Sequence, residues 1–135
     1  MATMEQESQT GQARELEAIF KLQAQICRVL GHPRRLQILE LLAHGERSNA
    51  ELLQILGTSK VNLSQHLALL RRIGLVESRQ QGRQSFHRLA LREVEHACRV
   101  IREVVALQLS QNSRLARALR HETGHRRKNV KVSQP

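Results

Sequence analysis

The stretch from Gly31 to Leu89, GHPRRLQILELLAHGERSNAELLQILGTSKVNLSQHLALLRRIGLVESRQQGRQSFHRL, decides the fold. Pro33 suits the first turn of a helix, and Leu36, Ile38, Leu39, Leu41 and Leu42 make that helix apolar enough to be central before Gly45 closes it. Ser48 to Glu51 reads as a capping box, so a second helix starts at Asn49, carries Leu52, Leu53, Ile55 and Leu56, and ends at Gly57. The pattern restarts with Thr58 or Ser59 as the cap, places Leu63, Leu67 and Leu70 on one face, and stops at Gly74. Alternation from Leu75 to Arg79 and from Ser85 to Leu89, around Gln81-Gly82, then predicts a hairpin. A helix, a helix-turn-helix and a hairpin in unbroken succession define a mainly α fold with a small β-hairpin, the winged helix-turn-helix.

On the N-terminal side, residues 1–11 are small and polar and are expected to be disordered. From about Ala13 a helical stripe runs through Leu16, Phe20, Cys27 and Leu30, widened by Ile19 and Ile26. On the other side a long helix is predicted from about Leu91 to Leu109. Its stripe is Val94, Cys98, Ile101 and Val105, with Val100, Val104 and Leu107 beside it. Faces this wide mark an interface, so the first and last helices are expected to form a dimerisation layer; the alternative is that they pack on each other within one subunit. A basic tail with RRKNVK near its end follows. The expected organisation is therefore a disordered 1–11, a DNA-binding and dimerisation domain over 12–110, and a basic tail over 111–135.

Composition agrees with this division. Lys and Arg number 22 against 12 Asp and Glu, a net charge of +10 that is the footprint of a nucleic-acid binder. Phe20 and Phe86 are the only aromatic residues among Phe, Tyr and Trp, which disfavours base stacking and hence single-strand binding. Two isolated cysteines make no disulfide scaffold, and no N-terminal apolar run reads as a signal peptide or a membrane span. A cytoplasmic, reduced protein is expected. No acid–base pair at useful spacing, Gly-rich phosphate loop or activated nucleophile is legible in the winged region, so an enzyme is not expected, and neither is a cofactor.

The second helix of the motif should enter the major groove. Removing its apolar positions leaves Ser59, Lys60, Asn62, Ser64 and Gln65 outside. Asn and Gln pair with adenine edges, Lys with guanine, and Ser with base or phosphate. No acidic residue interrupts Ser59 to Arg72, which an ordinary solvated face would contain. The hairpin tip offers Arg79, Gln80, Gln81 and Arg83 to phosphates or a minor groove. Arg34 and Arg35 oppose the dipole at a helix start, so they call either for a phosphate or for an internal acidic partner.

From about Val29 to Leu89 the chain resembles the ArsR/SmtB family of small winged-helix repressors, on LGHPRRLQILELL, ELLQILGTSKVNLSQHLALLRRIGLV and the wing ending in FHRL. The resemblance implies a homodimer that represses a promoter by binding a double-stranded operator and leaves it when an effector binds. It places Ser59, Lys60, Asn62, Ser64, Gln65 and His66 at recognition-helix positions, although His66 also fits a structural role between helix and backbone.

The resemblance does not carry the familiar metal sites with it. Where the best-known members hold a thiolate pair, in a context like ELCVCDL, this chain has ERSNAEL, with Ser48 and Ala50 at the cysteine positions. The zinc site of other members, an Asp-x-His with a second His eleven residues on, is also broken: His96 is present, but Val94 and Leu107 stand at the partner positions. No metal ligand set is therefore assigned. Cys27 and Cys98 remain as a redox or reactive-sulfur candidate, or else as inert small hydrophobes; relatives that sense with a cysteine pair are expected to hold one in the second helix, where this chain has Glu40. His121 and His125, four apart, are an alternative site for a metal-responsive repressor, set against a basic tail that lies on DNA. A winged-helix protein–protein module is the competing class.

Overall fold

The computed structural model describes residues 3–110 and 114–129, the last stretch from 123 as backbone. Among the described residues six helices and three strands follow in the order α1 (Met4–Leu30), α2 (Pro33–Ala43), β1 (Arg47–Ser48), α3 (Asn49–Leu56), α4 (Lys60–Arg72), β2 (Val76–Gln81), β3 (Gln84–Leu89), α5 (Arg92–Gln108) and α6 (Arg114–Asn129). The chain divides into two compact units, residues 1–95 and 96–135.

Local chemistry sets the helix boundaries. The capping box at α3 is formed: Ser48 Oγ accepts from the Glu51 N–H at 3.1 Å, and the Ser48 N–H donates to Glu51 Oε1 at 3.3 Å. Gly57 ends α3 in the left-handed region, φ 61°, where a side chain would be strained, and its N–H reaches the Leu53 carbonyl. That single residue makes the turn of the helix-turn-helix tight. Ser59 then caps α4, accepting from the Asn62 N–H at 3.1 Å.

Leucine spacing turns these helices into a core. Leu63, Leu67 and Leu70 of α4 are buried, as are Leu52 and Leu56 of α3 and Ile38, Leu39 and Leu42 of α2. Each such side chain stabilises the fold by roughly 1.5–3 kcal/mol relative to exposure, so the core shared with α2 and α3 holds α4 by its inner face.

The wing is a sheet of three strands, ordered β1-β3-β2, where the sequence predicts two. Val76 pairs with Leu89 and Gln81 with Gln84, so the two-residue connection is Gly82-Arg83 (Gly82 φ 61°), one residue on from the expected Gln81-Gly82. The added strand pairs Arg47 with His87 and Ser48 with Phe86. The residue that caps α3 therefore also docks the wing.

Both ends depart from expectation. α1 begins at Met4, not near Ala13, so most of the segment read as disordered is helical. Gln6 Oε1 accepts from the Thr3 N–H at 3.1 Å, and Glu5 and Glu7 favour the dipole in the first turn. The expected basic tail is helical over Arg114–Asn129, so the helix read as last is followed by another. Residues 1–2, 111–113 and 130–135 lie outside the described residues. No helix among those described is long and apolar enough to cross a membrane.

Candidate nucleic-acid interface

α4 presents its polar face to solvent. Lys60, Asn62, Ser64 and Gln65 are exposed, as is Val61, while Leu63 and Leu67 between them are buried. Four side chains able to bond base edges therefore stand on one rigid helix. Ser59 is exposed too; its oxygen accepts the cap N–H, and its O–H is left to donate outward with one lone pair to spare.

His66 is half-buried behind that face. Its Nδ1 lies 3.4 Å from Arg35 Nη1, and its ring sits 4.6 Å from the ring of His32. Arg35 is a donor only, so His66 accepts at Nδ1 and carries its proton at Nε2. Burial, then the charges of His32, Arg35 and Arg34, push its pKa down. His32 caps α2, its Nδ1 accepting from the Arg34 N–H at 3.1 Å.

The cations at the start of α2 bond neutral oxygens rather than the acidic side chain expected as one alternative. Arg34 donates to the carbonyl of Leu56, the last residue of α3, at 2.8 Å, and to Gln37 Oε1 at 3.2 Å. Arg35 donates through Nε to the Val29 carbonyl in the last turn of α1. Helix C-termini carry partial negative charge and unpaired carbonyls, so both guanidinium groups serve as caps for neighbouring helices. Arg35 thereby touches α1 and the recognition helix at once.

In the wing, Arg79 is already engaged. Its guanidinium takes both oxygens of Glu46 (Nη2–Oε1 2.6 Å, Nε–Oε2 3.1 Å), donates to Gln81 Oε1 at 2.7 Å and lies 4.5 Å over the Phe86 ring. That pair holds the Glu46 carboxyl below the usual carboxylate range. Arg79 and Gln81 thus brace the strands before they can meet a phosphate. Gln80 accepts from Ser85 Oγ at 2.9 Å. Arg83, beside the tip glycine, is exposed.

Sequence reasoning missed His87. It is 3 % exposed; Ser78 Oγ lies 2.6 Å from its Nδ1 and Asn49 Oδ1 3.3 Å from its Nε2. Arg71 Nη1, in the last turn of α4, donates to Ser78 Oγ at 3.2 Å. Arg71 can only donate, so Ser78 accepts from it and donates its O–H to Nδ1, and His87 donates its Nε2–H to Asn49 Oδ1. One chain of bonds thus ties the end of the recognition helix, both long wing strands and the start of α3. Burial, then the nearby Arg71 charge, pushes the His87 pKa down; Glu46 opposes this.

The effector candidates are less organised. Cys27 is exposed on α1, Cys98 is half-buried on α5, and neither forms a disulfide. His121 is exposed, and the His125 side chain lies outside the described residues. His96 Nδ1 lies 3.2 Å from Arg99 Nη2. Among the described residues no three His, Cys, Asp or Glu are placed to hold a metal ion.

A recognition helix with a bondable outer face, clamped to a short wing, defines a winged helix-turn-helix regulator. Residues 32–78 match the bacterial regulatory protein, arsR family. Along 107 residues the chain is 38% identical to an uncharacterized HTH-type transcriptional regulator of Mycobacterium tuberculosis, a match spanning 78% of this chain and 94% of that one. The crystal structure of the same relative superposes with a TM-score of 0.64 at 40% identity, over 68% of this chain and 93% of that one. Reduced HlyU from Vibrio cholerae gives a TM-score of 0.61 at 35% identity, over 67% and 96%. A homodimeric winged helix-turn-helix DNA-binding domain from Mycobacterium bovis gives 0.65 at 31% identity, over 72% and 90%. The chain belongs to the ArsR family and is a transcriptional regulator of that type.

Proposed function

We propose that the protein is a homodimeric, sequence-specific repressor that binds a duplex operator and is released from it by an effector. The observation that carries this reading is the outer face of α4, where Lys60, Asn62, Ser64 and Gln65 stand exposed over a buried leucine row. In the major groove these four read base edges, while Ser59, Arg83 and, by sharing its Glu46 pair, Arg79 meet phosphates beside Gln81. His66 supports the helix from behind.

Two apolar faces support the dimer. α1 has no buried residue, and Phe20 is 61% exposed among Leu16, Ile19 and Leu22. Val100, Ile101, Val104, Val105 and Leu107 of α5 are exposed as well. A second copy covers such faces and sets two recognition helices one helical turn of DNA apart. The signal enters through thiol chemistry at Cys27 on α1 and Cys98 on α5. A peroxide takes two electrons and two protons from a pair of thiols, leaves as water, and the two sulfurs join in a disulfide.

Fluorescence anisotropy on DNA from upstream of its own coding region, against a shuffled duplex of equal length, tests the reading. Lys60→Ala with Asn62→Ala is expected to weaken specific binding by about 10- to 100-fold for each base edge no longer bonded, and to leave shuffled-duplex binding intact. Wild-type binding that ignores sequence overturns it. The thiol route requires that peroxide weaken binding and that Cys27→Ser with Cys98→Ser abolish the response.

A further inference from the structure

Positive charge is unevenly shared between the two units. Residues 1–95, which hold the whole winged helix-turn-helix, contain thirteen Lys and Arg against ten Glu, a net +3. Residues 96–135 contain nine against two, a net +7. Most of the +10 that marks the chain as a polyanion binder therefore lies outside the fold that reads DNA.

That charge concentrates on α6. Arg114, Arg117, Arg120, Arg126, Arg127 and Lys128 fall within Arg114–Asn129, with Glu122 as the single acidic residue. Glu122 is met by Arg102 of α5 at 3.0 Å. In the first two turns Arg114, Arg117 and Arg120 follow at intervals of three, a ridge along one side of a helix, and all three are exposed with His121 beside them. Ala116 is buried. Arg114 and Arg117 stand in a first turn without an acidic residue, where cations oppose the macrodipole. Two cations placed there, Arg114 and Arg117, repel one another and the helix end, a cost that an anionic partner removes.

We infer that α6 is a second DNA-binding surface, which grips backbone phosphates without reading bases and adds sequence-independent affinity to the operator contacts of α4. The inference rests on the reading of the winged unit as a duplex binder. A one-sign ridge of arginines suits a polyanion such as duplex DNA, and guanidinium groups bond phosphate oxygens in pairs. A lipid surface fits less well: interfacial helices bury a broad apolar face, whereas the large apolar residues of α6 are Leu115 and Leu119. A single-stranded RNA partner would need stacking side chains, and α6 has no aromatic ring beyond its histidines.

The test compares the full chain with Arg114→Gln/Arg117→Gln/Arg120→Gln and with the matching triple Lys variant, checked for equal helicity by circular dichroism. Binding is measured across a salt series on upstream DNA, on a shuffled duplex and on a single-stranded RNA. The Gln variant is expected to weaken binding to both duplexes equally, leaving their affinity ratio unchanged. Its log–log salt slope should fall by ~0.9 for each phosphate no longer neutralised, up to about 2.7 per protomer. The Lys variant should restore most of the slope. An unchanged slope in the Gln variant, a changed affinity ratio, or an effect confined to RNA each overturns the assignment while leaving the winged unit's role intact. A wild-type chain with no salt-dependent duplex binding overturns both.

Discussion

The recognition helix is fastened at two places by a histidine, and the two histidines sit in opposite kinds of surroundings. At the C-terminal end, Arg71 of α4 reaches His87 through Ser78, and His87 is enclosed, with a hydrogen-bond partner on each ring nitrogen. Charges of both signs face it, Arg71 from α4 and Glu46 ahead of β1. Midway along, His66 is half-buried, and the charged and titratable groups that shift it, His32, Arg34 and Arg35, all come from the start of α2 and are cationic or able to become so. Both pKa values are pushed down, yet for different ends. His87 belongs to a closed network whose bonds are satisfied within the chain. His66 belongs to an open one that lacks an anion. The first locks the wing to the reader; the second is the one that an added anion would change.

Removing the closed network should have the larger effect. His87→Leu keeps the volume but leaves the Ser78 and Asn49 groups without their partner, a loss of about 2–3 kcal/mol for buried polar groups stranded in this way. Urea unfolding should show that loss in the midpoint, and hydrogen exchange should show faster opening of β2 and β3 than of α2. His66→Leu should cost under about 1 kcal/mol, because its partners face solvent and are rehydrated. Equal losses from the two variants would erase the distinction drawn between them.

A smaller effect separates the pair by pH. Folded His87 has its pKa below the ordinary value of about 6.5. Below that ordinary value the unfolded chain takes up a proton that the folded chain refuses, so stability is full above it and falls as pH falls toward the folded pKa. Midpoints at pH 7.5 and pH 5 should therefore differ, and His87→Gln should flatten the difference. His66, depressed in the same direction but less enclosed, should contribute less. A His87→Gln protein with the full wild-type pH dependence would show that His87 carries none of it.

What the sequence disclosed follows the range of the forces involved. The capping box at Ser48 and Glu51, the leucine row Leu63, Leu67 and Leu70 and the tight turn at Gly57 are written in residues three or four apart, and each was legible. β1 is two residues long and exists because Arg47 and Ser48 meet His87 and Phe86 some forty positions away. Nothing in its own sequence marks it. The first turns of α1 carry no apolar stripe, so periodicity could not reveal them. Gly124 and the run of basic residues hid α6 in the same way. The outer face of α4 was readable by subtraction, but the partners of Arg34 and Arg35 were not. Backbone carbonyls 22 and 6 residues away leave no trace in side-chain identity.

The smallest expected effect tests the open network itself, and its sign is opposite to that of the stability profile. In the free protein burial, then the charges around it, push the His66 pKa down. A phosphate brought near His32, Arg34, Arg35 and His66 by docked DNA offsets those cations and raises the His66 pKa, so binding takes up a proton. Lowering the pH from 7.5 toward 6 should then tighten duplex binding by a few-fold while it weakens the fold. His66→Gln should remove that gain at little cost in affinity at pH 7.5, whereas His87→Gln should leave the gain in place. Anisotropy on the same upstream duplex at constant ionic strength measures it. If the gain survives in His66→Gln, His66 does not carry it; if it also disappears in His87→Gln, the two histidines have exchanged roles, and the recognition helix is tuned to its phosphate from the wing rather than from α2.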